Sequence, residues 1–392
     1  MRVLIAVTHL LGAGHLTRAA AIARAFARAG HDATLVSGGR PAPLIVLDGV
    51  RLVQLPPVQT AGIDFATLLN ESGRLADPAR LAERRRLMLA ALERTHPEVI
   101  ITELFPFGRR ALAGEFLALL ERARAMQPRA LIVSSVRDIL VAPTKPERVA
   151  ETHARLRTFY DAVLVHGDPN LILLDASWPV DAQVRDLTHY TGYVDNGAPA
   201  AHSLETEGEI VVSGGSSTAS LPLHHAAVGA ATLLPEHRWR VLVGTGIPED
   251  LYAALVKAAP ANAAVERARP DFRALLGRAR LSVSQAGYNT VVDLLRARTP
   301  AVLIPFEGER ETEQRVRAER MADLGLASVL LEQSLSPAVL AQYVADALAH
   351  PRPHEPTVRL DGADCTVAIV KTLANRRSTD PEARSRLYTG AL

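Results

Sequence analysis

The run Ser284-Gln-Ala-Gly-Tyr-Asn-Thr-Val-Val-Asp293, followed by Pro300-Ala-Val-Leu-Ile-Pro305 and Glu313-Gln314, holds residue types that could grip an anion and a diol side by side. It reads as a strand, a glycine turn, a helix with an early carboxylate, a buried strand, and a polar pair on the next loop. The main-chain amides from Gln285, Ala286 and Gly287 into Tyr288, Asn289 and Thr290 would face negative charge at a helix start. Asp293, expected in the first turn of that helix, could accept both hydroxyls of a ribose. Glu313 and Gln314 could hold sugar hydroxyls through directional hydrogen bonds. Each feature has a plainer explanation. An acid near a helix start is favoured by the dipole whatever its function, and Glu313 and Gln314 taken singly read as solvated helix residues.

Two more glycine loops follow apolar strands. Gly12-Ala-Gly14-His15 opens a helix, where amides and dipole could meet a diphosphate or a developing charge. A helix amino terminus disfavours imidazolium, so His15 should stay neutral and could take a proton from a hydroxyl. A tight turn with a hydrogen-bonding histidine is the alternative. Ser213-Gly214-Gly215-Ser216-Ser217-Thr218 is the corresponding loop of the second half, fit for close main-chain approach to a diphosphate or for capping the next helix. Glu103 and Asp138 each come directly after an apolar strand, which makes them second candidates for the base or partners that orient it. Helix capping is the competing explanation for both. No His, Asp or Cys spacing suggests a metal site.

The elements that must position these groups alternate along the chain. Strands are expected at 2–7, 33–37, 51–55, 98–102, 130–136 and 162–166, then at 209–213, 239–244, around 265, and at 281–284, 301–305 and 327–331, separated by segments long enough for crossover helices. This predicts an α/β protein of two tandem Rossmann-like doubly wound parallel sheets with an interdomain cleft. The expected division is 1–195, a linker at 196–207, a second domain at 208–370, and a tail at 371–392. The 392 residues suit two domains, and the 48% hydrophobic content lets each bury a core.

A formal net charge of +2 argues against a nucleic-acid partner. One cysteine, Cys365, excludes an intrachain disulfide and suggests a reducing, cytoplasmic setting. No apolar run approaches the ~20 residues of a spanning helix. Arg84-Arg85-Arg86 beside Leu87, Met88 and Leu89 raises peripheral membrane contact as a possibility, against the simpler reading of a solvated helix face.

The chain resembles the GT-B glycosyltransferases, in particular the group of the bacterial transferase that adds N-acetylglucosamine to the lipid-linked peptidoglycan precursor. The likeness is strongest in Ala286-Gly-Tyr-Asn-Thr290 with Asp293, Pro300, Pro305, Phe306 and Glu313-Gln314. Phe105-Pro-Phe-Gly108 and Val136-Arg-Asp138 are similar to the pattern of a less-studied set of predicted transferases. The resemblance implies inverting, metal-independent transfer from a nucleoside-diphosphate sugar, expected to be UDP-linked, to a small-molecule or lipid-linked acceptor. That sugar would be a co-substrate, with no cofactor. It also implies that Asp293 binds ribose, that 214–217 and the Gly287 helix start face the diphosphate, and that His15 lies near the reacting carbon. This chain departs from the peptidoglycan enzyme's pattern by one glycine fewer in the first loop, by Asp293 in place of glutamate, and by Gln285 in place of arginine. A nucleotide-sugar hydrolase, an epimerase or a non-catalytic binding subunit are the other readings of the same plan.

Overall fold

The computed structural model describes residues 1–42, 45–60, 65–141, 143–197, 208–215, 218–308, 312–350 and 358–379. Contacts divide the chain into two compact units. The first comprises Met1–Asp168, Leu174–Asn196 and the chain from Asp361 onward; the second comprises Pro169–Leu173 and Gly197–Leu360. Of the expected linker, 198–207 lies outside the described residues, as does 380–392 of the expected tail.

The first unit is built on β1 (Arg2–Val7), β2 (Asp32–Ser37), β3 (Val50–Gln54), β4 (Val99–Glu103), β5 (Leu131–Arg137), β6 (Ala162–His166) and β7 (Thr188–Tyr190). Its helices are α1 (Gly14–Arg28), α2 (Pro78–Thr95), α3 (Ala113–Ala125), α4 (Pro146–Phe159) and α5 (Ala182–Leu187). The sheet order is β3-β2-β1-β4-β5-β6-β7, parallel throughout. Buried strands such as Val3-Leu-Ile-Ala-Val7 give alternate residues to opposite faces, so a sheet clad on both sides needs near-continuous apolar runs. Leu4 and Ala6 pack with Ile100, Phe116 and Leu119 on one face, while Val3, Ile5 and Val7 pack with Ile22 and Phe26 of α1 on the other.

The second unit contains β8 (Ile210–Ser213), β9 (Trp239–Val243), β10 (Ala263–Arg267), β11 (Leu281–Ser284), β12 (Ala301–Leu303) and β13 (Ser328–Val329). Its helices are α6 (Leu221–Leu233), α7 (Glu249–Ala258), α8 (Phe272–Leu276), α9 (Tyr288–Ala297), α10 (Glu313–Asp323) and α11 (Pro337–Ala349). The order is β10-β9-β8-β11-β12-β13, again parallel. Both sheets reverse their winding beside the first strand, between β1 and β4 and between β8 and β11. That is where the loops at the carboxyl ends of the strands open a crevice for ligands.

Two expectations are corrected. The second domain does not run to 370, because α12 (Gly362–Thr379) belongs to the first unit, where Val367 and Val370 join the cluster of Ile22 and Phe26. Arg84 is no part of a solvated or membrane-facing run. It is fully buried, donating to both carboxylate oxygens of Glu115 at 2.7 and 2.9 Å and to the carbonyls of Gly38 and Pro56 at 2.7 and 2.6 Å, while Arg85 and Arg86 are exposed. Among the described residues no helix is long and apolar enough to cross a membrane.

Candidate active site

The first constellation is built across the winding reversal of the first sheet. β1 feeds a loop in which Gly12 takes φ +63, a left-handed value, before α1 begins at Gly14. His15 is thereby the second residue of a helix whose first turn carries no acid. Glu103 is the last residue of the neighbouring strand β4 and is 1% exposed. His15 Nδ1 lies 2.9 Å from Glu103 Oε1. Arg18, one helical turn beyond His15, donates to the same oxygen, and Ser135 Oγ donates to Oε2 at 2.6 Å.

The network continues inward. His166, the last residue of β6, has Nε2 2.9 Å from Ser135 Oγ and Nδ1 2.9 Å from Thr191 Oγ1. The Ser135 hydroxyl has one proton and points it at an anion, so His166 donates to it from Nε2. Ser135, His166 and Thr191 are all fully buried, which fixes the Glu103 carboxylate in one orientation.

Charge follows from this packing. Burial alone would raise the Glu103 carboxyl, but the Arg18 guanidinium and the hydrogen bonds of His15 and Ser135 outweigh it and hold the acid well below the usual carboxylate range. Burial, with Arg109 and Arg18 assisting against the Glu103 hydrogen bond, pushes His15 down to about 3. The imidazole is therefore neutral at neutral pH. Its proton sits on Nδ1 toward the carboxylate, and Nε2 carries the lone pair. The ring is 17% exposed, so it is oriented by buried groups without being sealed off. A neutral histidine aimed by a buried anion is the arrangement that accepts a proton from a hydroxyl.

Of the sequence candidates, the structure brings His15 and Glu103 together and sets Asp138 apart. Asp138 Oδ2 accepts from the Tyr193 hydroxyl at 2.9 Å and Oδ1 from the Ile139 amide at 2.9 Å, and the side chain is fully buried against Gly167. The Tyr193 bond ties the loop after β5 to the loop after β7, with Gly167 after β6 packed against the same side chain, which is a positioning task. Arg18, Ser135 and His166 escaped the sequence reading. Arg18 had a signal, its spacing from His15 on the helix, and so did His166, a polar end to an apolar strand as Glu103 is.

The second constellation repeats the placement in the second sheet. A Cβ on Gly214 would lie 2.4 Å from Ser220 Cβ, so close packing demands glycine there. The Gly215 amide donates to Gln285 Oε1 at 2.9 Å, linking the loops after β8 and β11 across the reversal. Ser216 and Ser217 lie outside the described residues. α9 starts at Tyr288 after Gly287, with no side-chain cap and no acid in its first turn, which leaves the amides around Tyr288, Asn289 and Thr290 for an anion.

Asp293 is the sixth residue of α9, in the second turn rather than the expected first, where the dipole no longer explains an acid. Arg273 of α8 stands 2.8 Å from Asp293 Oδ1 as its ion-pair partner. Gln314 Oε1 accepts from the amides of Ala286 and Phe306 at 3.0 and 3.2 Å, so it joins the loops after β11 and β12. Glu313 is 12% exposed and 4.0 Å from Arg317, whose fully buried guanidinium donates to the Ala286 carbonyl at 2.8 Å and lies against the buried Tyr288 ring. Neither Glu313 nor Gln314 is the solvated surface residue it resembles singly. Sequence alone did not reveal Arg273 or Arg317, because arginine is so abundant in this chain. Among the described residues no group of acids, histidines and cysteine is arranged to hold a metal.

The two reversals, each with a glycine loop and a polar strand end, define a pair of nucleotide-type folds in one chain. Residues 209–360, nearly all of the second unit, match the glycosyltransferase family 28 C-terminal domain. Solved structures align with nearly the whole chain. Glycosyltransferase VinC in complex with dTDP aligns at a TM-score of 0.66 and 17% identity, covering 96% of this chain and all of that one. MurG of Acinetobacter baumannii aligns at 0.56 and 16%, covering 95% and all of it. The chain thus has the GT-B glycosyltransferase fold, and its second unit is similar to the glycosyltransferase family 28 C-terminal domain.

Individual relatives are similar over part of the chain only. The UDP-N-acetylglucosamine--N-acetylmuramyl-(pentapeptide) pyrophosphoryl-undecaprenol N-acetylglucosamine transferase of Agrobacterium fabrum is 28% identical over 195 residues, 47% of this chain and 51% of that protein. The enzyme of the same name from Crocosphaera subtropica is 39% identical over 77 residues, 20% of this chain and 22% of that one. The chain spans about half or less of the length of these relatives.

Proposed function

We propose that this protein transfers a sugar from a nucleoside diphosphate, UDP in the first instance, to an acceptor hydroxyl, with inversion and without a metal. The observation that carries the reading is the His15–Glu103 pair at 2.9 Å, set at the winding reversal of a sheet in a glycosyltransferase fold. UDP is the first choice because the Agrobacterium and Crocosphaera relatives are named for UDP-N-acetylglucosamine.

In this mechanism His15 Nε2 takes the proton of the acceptor hydroxyl as its oxygen bonds to the anomeric carbon. The bond from that carbon to the diphosphate breaks with inversion, and the diphosphate leaves with the electron pair. Glu103 balances the imidazolium as it forms, while Arg18 and Ser135 keep the carboxylate ionised and aimed. The amides of the α9 start would receive the leaving charge, and Asp293 would hold the ribose. Preorganised donors of this kind supply charge stabilisation that a metal supplies elsewhere, and the single cysteine fits work in a reducing, cytoplasmic compartment.

The test is a kinetic separation. His15→Ala should lower kcat by roughly 10²- to 10⁴-fold, the usual yield of a positioned general base, while leaving the donor dissociation constant within about twofold. Wild-type turnover in that variant would remove His15 from the role.

A further inference from the structure

The loop after β4 carries a cation that the mechanism above leaves unused. Arg109 holds φ +61, a left-handed conformation that a residue serving only the turn would meet as glycine or asparagine. Its Nε is buried with no hydrogen-bond partner, and among the described residues the guanidinium forms no ion pair. Glu103, the acid whose charge reaches it, is already engaged by Arg18, His15 and Ser135, and the charges of Arg137 and Arg18 oppose it. A partly buried cation whose buried Nε has no partner, and whose neighbouring acid is committed elsewhere, is a site short of one negative charge.

We propose that Arg109 binds an oxyanion, a carboxylate or a phosphate, that the acceptor carries near the hydroxyl receiving the sugar. The inference rests on the reading of His15 as the acceptor-side base. The donor's diphosphate is an unsuitable occupant, since that reading assigns it the amides of the α9 start. A planar guanidinium suits either anion through paired hydrogen bonds. Burial pushes Arg109 down to about 10, and its charge is one of the influences that disfavour imidazolium at His15. An anion bound there offsets that charge, so acceptor binding makes the base stronger when it is needed.

Calorimetric titration of inorganic phosphate and of succinate into the full chain, saturated with UDP to fill the donor amides, tests this directly. Wild type and Arg110→Asn should bind one equivalent of at least one of these anions. Arg109→Asn, which suits the left-handed backbone, should bind it at least tenfold more weakly. Tighter phosphate indicates a phosphorylated acceptor, and tighter succinate a carboxylated one. Equal binding by wild type and Arg109→Asn overturns the proposal. Should that variant not fold, the Arg109 Nε–H resonance of the wild type is followed instead: movement on anion addition supports the site, and an unmoved resonance overturns it. Failure of UDP to bind would count against the transferase reading, while the anion difference between wild type and Arg109→Asn still stands or falls by itself.

Discussion

A neutral imidazole beside an ionised, buried carboxylate sets the chemistry of the first unit at the scale of single residues. His15 and His166 are both pushed down to about 3, in each case chiefly by burial, from an ordinary 6.5. Between those values the unfolded chain binds more protons than the folded one, so stability rises with pH across this window and is lost as pH falls through it. Each group adds a slope of up to about 1.4 kcal/mol per pH unit. Glu103, depressed in the fold, acts in the same direction: its contribution is present above its unfolded value and lost as pH falls. His166→Gln should therefore flatten the dependence of urea-unfolding stability on pH between about 6 and 4. Parallel curves for variant and wild type would show that His166 is not held neutral.

The elements show what pattern alone conveys. β1 and β6 are uninterrupted apolar runs bounded by polar residues, and the sequence placed both at their observed limits, Arg2–Val7 and Ala162–His166. β7, three half-buried residues, has too little periodicity to register. The docking of α12 was equally hidden: its weak apolar stripe says nothing about which surface receives it. The site divides in the same way. His15 and Glu103 stand at a helix start and a strand end, where a polar residue is conspicuous, and Asp293 shortly follows the glycine turn that opens α9. Arg109 and Arg273 act through tertiary proximity, which no local spacing encodes. Because Val370 is fully buried in the cluster with Phe26, Val370→Ala should cost about 2 kcal/mol for two lost methyl groups, measured by urea denaturation. A cost near zero would mean that α12 does not pack there in solution.

Over the whole molecule one device appears twice: a parallel sheet reverses its winding, and the loops on either side of the reversal are bridged by a polar contact. In the first unit the bridge is His15 to Glu103, a neutral imidazole on a buried carboxylate. In the second it is Gly215 to Gln285, a main-chain cradle backed by Gln314 and Arg317 and followed by Asp293. Under the proposed transfer, the first unit would take the acceptor's proton and the second, which holds the family 28 match over 209–360, would meet the donor's charge. The most direct measurement is isothermal titration of UDP and UDP-N-acetylglucosamine into the wild-type protein and Asp293→Ala. We expect wild-type dissociation constants on the order of micromolar to millimolar, weakened at least tenfold by the substitution as an acid–ribose contact is lost. No affinity of the wild type for either ligand or for dTDP, or equal affinity in Asp293→Ala, would contradict the account.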